Sequence, residues 1–280
     1  MPRRDWPTRA RARYDSGPRG CRYATFAFWS ETLTSNIQVI VLGAGDAFGS
    51  GGRRQSSYLV RGGSSTFLMD AGPTVLAGLK DARCSSADID FIALSHMHGD
   101  HFAGIPFLLM EYLYEEPRTR PLTIAGPAGV EERVRECFHA MYRQSSMQPL
   151  KFPLQFITMT ADQPLRIGTA DLEPFAVPHQ ENEPSLGMKI RVDGKVIVYS
   201  GDSGWTEEFV KRTEDVDLFL CECCYWDTNH WFHINYPELE RNRARIRARR
   251  LVLSHLGREV LEKLDRVKEV VAHDGMVIDL

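Results

Sequence analysis

What this chain lacks narrows the field before anything else does. No uninterrupted apolar stretch approaches the ~20 residues needed to span a bilayer, so no membrane span is expected among the 280 residues. Neither sign of charge dominates. The 34 basic and 37 acidic residues leave a formal net charge of −3, which gives no global attraction to nucleic acid or to an anionic membrane. Cysteine is scarce: there are six, scattered apart from Cys221, Cys223 and Cys224. Buried reduced thiols on a strand are the plain reading of that trio, with a third metal site or a redox switch as the alternative. Arg3-Arg4 has no adequate apolar region or small-residue cleavage site behind it to make an export signal. The chain is read as cytoplasmic.

With 43% hydrophobic residues the chain can bury a large core, and one domain accounts for most of it. The first 36 residues differ. Seven arginines from Arg3 to Arg22 are mixed with Pro, Gly and Ser without periodicity, which predicts a disordered Arg-rich extension at 1–36. The aromatic run at 25–29 is the one stretch there suited to packing on the domain. From Ile37 to Leu280 the pattern is α/β. Strand-like runs IQVIVLG, SYLVRG and TFLMDAG precede a helical stretch from Pro73 to Arg83. Further helices fit FAGIPFLLMEYLYEE and AGVEERVRECFHAMYRQ, and strands fit 151–157, 171–177, 186–192 and 195–200. Asp193-Gly194 between the last two is a strong hairpin signal. Helix, strand and helix close the chain around Pro237–Arg249, Leu251–Ser254 and Arg258–Val267.

The most informative residues are His96, His98, Asp100 and His101, in the run LSHMHGDHFAG. They follow IDFIAL, a short continuous apolar run that reads as a buried strand. A loop at the end of such a strand offers two pairs of ligands on a rigid base. His96 and His98 can converge on one cation while Asp100 and His101 turn towards a second. Imidazole nitrogen and carboxylate oxygen suit zinc, iron or manganese.

At these residues the sequence resembles the metallo-β-lactamase superfamily, whose HxHxDH signature is matched without a gap. Later candidates stand in the family's order: His179 in FAVPHQ, Asp202 in VIVYSGDSGW and His255 in RRLVLSHLGRE, each after an apolar β-branched run. The resemblance implies that His96, His98 and His179 hold one metal, that Asp100, His101 and His255 hold the other, and that Asp202 bridges them. Two divalent metal ions follow, zinc first, with manganese or iron as alternatives. The implied fold is a four-layer αβ/βα sandwich with the metals at one edge between two sheets.

LGAGDAFGSGGRRQSSYLV, GPAG at 126–129 and DLFLCECCY at 217–225 narrow the resemblance to the ribonuclease Z and phosphodiesterase branch. Glu222 fills the glutamate of a His-Glu-Ala-Thr-like motif, with Cys221 in place of the histidine and Cys223-Cys224 in place of Ala-Thr. His233, 22 residues before His255, fills the branch's later histidine. The likeness spans roughly Ile37 to Leu280. One departure concerns the substrate: true ribonuclease Z proteins carry a long arm for transfer RNA between the equivalents of His179 and Asp202. Only 22 residues stand there in this chain, enough for a hairpin and no arm.

Two cations about 3.5–4 Å apart can polarise a phosphoryl oxygen and share a hydroxide. The departing alkoxide then needs a proton. A carboxylate bonded to one imidazole nitrogen sets the tautomer and lets the other donate; Glu222 and His233 are the expected pair and, with Asp100, the expected catalytic residues. His230 is a rival to His233. Asp70, in LMDAG, either orients a ligating histidine or merely forms a turn. Ser203 and Gly204 give a weak phosphate-pocket signal. Six arginines in RNRARIRARR, 241–250, would place Arg241, Arg245 and Arg249 on one helical face, as a solvated surface or a phosphate grip. The expected function is a dinuclear metal-dependent phosphodiesterase acting on a small or cyclic phosphodiester or on RNA ends. Lactone or thioester hydrolysis is the enzyme alternative, and a non-catalytic metal- or RNA-binding subunit the alternative of another class. The expected partner is a small-molecule or nucleic-acid phosphodiester, with no membrane and with room for a homodimer.

Overall fold

A computed structural model describes residues 37–280 of the chain; the expectation for 1–36 lies outside the described residues. Six strands come first: Gln38–Gly43 (β1), Ser57–Arg61 (β2), Phe67–Ala71 (β3), Phe91–Ala93 (β4), Leu122–Gly126 (β5) and Leu154–Thr158 (β6). Seven more follow: Leu165–Ile167 (β7), Ala170–Ala176 (β8), Leu186–Val192 (β9), Lys195–Tyr199 (β10), Leu218–Glu222 (β11), Leu251–Ser254 (β12) and Val270–Val271 (β13). The last strand, Val277–Asp279 (β14), returns to pair with β1. One sheet runs β14-β1-β2-β3-β4-β5-β6 and the other β13-β12-β11-β10-β9-β8-β7. Helices Val75–Asp81 (α1), Gly99–Phe102 (α2), Ile105–Tyr114 (α3) and Val130–Met141 (α4) belong to the first half. Glu207–Arg212 (α5), Tyr236–Asn242 (α6) and Arg258–Leu261 (α7) belong to the second. No described helix is long and apolar enough to cross a membrane.

Three apolar clusters separate four layers. Successive side chains of a strand face opposite ways, and β1 shows the consequence. Val39 and Val41 join the cluster between the sheets, with Met188, Ile190 and Ile197 from the other sheet. Ile40 and Leu42 join the cluster under α1, α3 and α4. A third cluster lies between the second sheet and its helices, where Phe209, Tyr236 and Leu239 meet Phe219 and Leu253. The expected αβ/βα sandwich is therefore the observed architecture. Its inner strands β3 to β6 and β10 to β13 run parallel within their sheets, so the loops after them emerge at shared edges.

Two sequence expectations needed correction. Pro237–Arg249 is not one helix. Asn235 caps α6 by accepting from the Glu238 amide, but the helix ends at Asn242 and a 3-10 turn follows at Arg243–Arg245. Beyond it Ile246 and Ala248 are buried while Arg245, Arg247 and Arg249 are exposed. That is an alternation of period two, an extended edge instead of a helical face. Arg241, Arg245 and Arg249 thus share no helical stripe, and four of the segment's arginines meet acids: Arg243 with Glu269, Arg245 with Glu207, Arg247 with Glu214 and Arg249 with Asp217. The closing helix, expected to reach Val267, is the four-residue α7 and then a 3-10 turn at Leu264–Arg266.

The Asp193-Gly194 hairpin is present, with both residues left-handed (φ 45° and 78°). The Asp193 carboxylate also accepts from the Ser64 amide at 2.9 Å and hydroxyl at 2.8 Å, tying the turn to the other sheet. Nothing lies within 4 Å of a Cβ added at Gly194, so Gly194→Ala isolates the backbone term. It should lower stability in urea unfolding by about 1 kcal/mol. An unchanged midpoint would show that the turn does not hold this left-handed geometry in solution.

Candidate metal centre

Each candidate ligand stands just beyond a strand. His96 follows β4, His179 follows β8, Asp202 follows β10 and His255 follows β12. His98 is the N-terminal cap position of α2, and Asp100 and His101 lie within that helix. The folding of the two sheets brings all seven expected residues together. Ligand atoms of His96, His98 and His179 lie within 4.8 Å of one another, as do those of Asp100, His101, Asp202 and His255.

Asp202 sits between the two groups. Its carboxylate is 3.2 Å from His101 Nε2 and 3.2 Å from His255 Nε2. It is also 3.9 Å from His96 Nε2 and 3.9 Å from His179 Nε2. Burial alone would raise its pKa, but His101 and His255 outweigh it and hold the carboxyl well below the usual range. Asp100 is shifted down in the same way, burial being overcome by His101 and then His255. His101 and His255 are drawn well above the imidazole range, since Asp202 and Asp100 overcome their burial. His96 goes the other way: it is fully buried, and desolvation followed by its neighbour His101 pushes it well below.

Whether this cluster fits a cation is tested by its unmet bonds. Among the described residues four buried side-chain polar atoms have no hydrogen-bond partner, and all are here: His96 Nε2, His101 Nε2, His255 Nδ1 and Asp202 Oδ1. His101 Nε2 is close to both carboxylates, but the angles do not make a hydrogen bond. An orphaned buried polar atom costs roughly 1–3 kcal/mol. Cations accepting the lone pairs of these nitrogens and oxygens would remove most of that penalty. The donor set fits a divalent metal.

Orienting contacts support the same fit. Asp70, left-handed at φ 57°, breaks the alternation of β3 and turns its carboxylate towards the site. It accepts from the Ser95 amide at 2.7 Å, the Ser95 hydroxyl at 2.8 Å, the Tyr199 hydroxyl at 2.6 Å and His101 Nδ1 at 2.7 Å. His101 is thereby left with Nε2 facing the cluster. Ser95 stands 3.0 Å from His96 Nδ1, and His179 Nδ1 donates to the Phe232 carbonyl at 2.9 Å. Of these partners the sequence pointed only to Asp70; Ser95 and Tyr199 carry no motif signal because each is an ordinary strand-end residue until the fold places it.

Glu222, buried at the end of β11, gathers four donors. Oε1 accepts from His233 Nδ1 at 2.6 Å and the Ser203 amide at 2.8 Å. Oε2 accepts from the Cys224 amide at 3.1 Å and the Ile234 amide at 3.3 Å. His233 is left with Nε2 outside that bond, its ring stacked 5.6 Å from that of His255. Burial works against its charge, but Glu222 prevails and raises its pKa. His230 is exposed and stacks on Phe232 instead, so the rival position is not filled. Ser203 is turned to Glu222 and its own neighbour's carbonyl, which corrects the phosphate-pocket expectation. A Cβ at Gly204 would come 1.8 Å from the Trp231 carbonyl, so that glycine seats the 230–233 loop. Cys221 and Cys223 are buried in the third cluster, as reduced thiols would be. Cys224 instead offers its sulfur within 4.8 Å of donor atoms of His233 and His255, its pKa pushed up to about 11 by burial.

A cavity of about 590 Å³ opens over the cluster, reaching His98, Asp100, His179, Asp202, His233 and His255. The family model described as anti-Pycsar protein Apyc1 matches residues 37–272. The probable metallo-hydrolase YhfI of Bacillus subtilis is 26% identical over 228 residues, covering 79% of this chain and 87% of that protein. Its crystal structure superposes with a TM-score of 0.71 over 88% of this chain and the whole of that chain. Ribonuclease Z of Lachnospira eligens is 22% identical over 87% of this chain and 98% of its own length. Human tRNase Z, short form, is 25% identical with a TM-score of 0.68, over 86% of this chain and 98% of that one. With fold, site and relatives in agreement, the chain lies in the ribonuclease Z-like branch of the metallo-β-lactamase superfamily and belongs to the anti-Pycsar protein Apyc1 family.

Proposed function

We propose that this metal-dependent hydrolase of the metallo-β-lactamase fold is a phosphodiesterase, acting on a small or cyclic phosphodiester or on an RNA end. His96, His98 and His179 would hold one divalent ion, Asp100, His101 and His255 a second, with Asp202 shared and zinc the first candidate. When bound, such a pair polarises a phosphoryl oxygen and supplies a nucleophile near neutral pH. The observation that carries the reading is the 2.6 Å Glu222–His233 bond beside the cluster. A lactone or thioester hydrolase has less use for such a pair, whereas a phosphodiester must discharge a poor alkoxide.

Glu222 fixes the His233 tautomer by accepting from Nδ1, so that Nε2 carries the proton into the cavity. Asp202 sets the distance between the two ligand groups. Ser95 and Asp70 hold His96 and His101 in register, so neither ring need reorganise as charge develops. Small diesters suit the enclosure. The β9–β10 connection is a tight hairpin, and no long arm is present there to grip a folded RNA.

Metal-loaded protein should turn over phosphodiesters and not lactones or thioesters, and lose that activity to a chelator. Lactone turnover alone would overturn the reading. Purified metal-replete protein should hold two ions per chain, and Asp202→Ala at least one fewer. Full metal content in that variant would sink the bridging role.

His233→Ala should keep its metal and lose about 10²–10⁴-fold on an alkyl or nucleotide diester, but far less on a nitrophenyl diester, whose anion leaves unaided. Equal losses on both would remove His233 as the acid. The pH profile gives a further check. A raised His233 pKa keeps its proton available to higher pH, so activity should fall as pH climbs through that value. Glu222→Gln removes the raising charge and should shift this alkaline limb to lower pH; an unmoved limb would assign it to another group.

A further inference from the structure

The two-ion reading leaves one donor beside its ligands unused. Just past β11, Cys221 and Cys223 face the third apolar cluster, and alternation turns Cys224 the other way. Cys224 borders the 590 Å³ cavity over the proposed metal ligands and a second cavity of about 340 Å³ beside it. Its backbone is fixed on both sides: the amide donates to Glu222 Oε2 at 3.1 Å, and the carbonyl accepts from the Gly257 amide at 3.1 Å. A Cβ at Gly257 would come 2.3 Å from that carbonyl oxygen and 3.2 Å from the Cys224 sulfur. The glycine therefore lets the thiol sit where it does.

Two imidazoles complete a set. Donor atoms of Cys224, His233 and His255 lie within 4.8 Å of one another, a spacing that one ion can draw together. His233 spends its Nδ1 on Glu222 and keeps its Nε2 outside that bond. His255 is buried, with Nδ1 lacking any hydrogen-bond partner and Nε2 3.2 Å from Asp202. This set differs in kind from its neighbour. Asp100, His101, Asp202 and His255 offer two carboxylates and two imidazoles, which suit zinc, manganese or iron, whereas a thiolate with two imidazoles favours softer cations. A neutral imidazole has one lone pair, so His255 serves one ion or the other.

We propose that Cys224, His233 and His255 form an alternative site that takes up a soft thiophilic cation, cadmium or cuprous copper, in exchange for the second ion. The proposal rests on the two-ion reading and adds to it a choice of position set by the softness of the metal. Capture exchanges the thiol proton, and that of His233 where it is protonated, for sulfur–metal and nitrogen–metal bonds, the protons passing to solvent. It withdraws a ligand from the second ion and the free nitrogen from His233 together. Manganese gains nothing from the sulfur and stays among the carboxylates.

The test is cadmium titration of the manganese-loaded full chain, read by the ultraviolet thiolate-to-cadmium charge-transfer band and by manganese release. One cadmium per chain should raise the band and free one manganese. Cys224→Ser should lose the band while still taking up two manganese ions. Cys84→Ser and Cys137→Ser, at half-buried thiols outside this set, should keep it. His233→Ala spares every sulfur yet should weaken cadmium binding by at least about 10-fold, the least that loss of even an outer partner costs. A band that survives in Cys224→Ser, or cadmium affinity unchanged in His233→Ala, would overturn the proposal. Retention of both manganese ions beside a full band would also overturn it, because His255 would then not be shared. The two readings fail separately. Two bound manganese ions with no cadmium band leave the two-ion reading standing and remove the soft site. A band lost in Cys224→Ser, in a chain that binds no manganese, keeps the soft site and removes the two-ion reading.

Discussion

The site is organised around one buried carboxylate. Asp202 is 3% exposed, and four imidazole nitrogens surround it within 3.9 Å. A lone buried carboxylate would neutralise by taking a proton. Here His101 and His255 hold it ionised. The strand ends on both sheets, the left-handed turn at Asp70 and the capping position of His98 can be understood as devices that bring donors to this point and keep them there.

The Glu222–His233 side of the site obeys a related constraint. Glu222 is buried, and its carboxylate oxygens are satisfied by accepting four hydrogen bonds. Three come from backbone amides of segments that flank the cavity. The carboxylate thus both orients His233 and fixes the loop that presents it, with Gly204 allowing the close approach of Trp231. Chemistry and loop geometry are a single interaction here, which is why a side chain 22 residues from the last ligand in sequence stacks on that ligand's ring.

Much of this was legible in the sequence because its signals are local. HxHxDH compresses four donors into six positions, and Asp202 and His255 each follow a short, mainly apolar strand, KVIVY and LVLS. The Asp193-Gly194 hairpin was readable from turn chemistry alone. What escaped was non-local or of the wrong period. Ser95 and Tyr199 acquire their role only when Asp70 is brought between them. The arginine-rich segment suggests a helical repeat, although Ile246 and Ala248 interleaved with arginines give the two-residue repeat of an extended chain. Short strands such as β7 and β13 hold too few residues to show any period.

The proposed ligands divide between the sheets: His96, His98, Asp100 and His101 follow a strand of the first, and His179, Asp202 and His255 follow strands of the second. Neither half of the chain holds a complete site. Metal bound by these residues would act as a clasp across the apolar seam between the sheets, its free energy adding to that of the folded state. A chain starved of metal would loosen first along this seam, making resistance to proteolysis a gauge of ion supply.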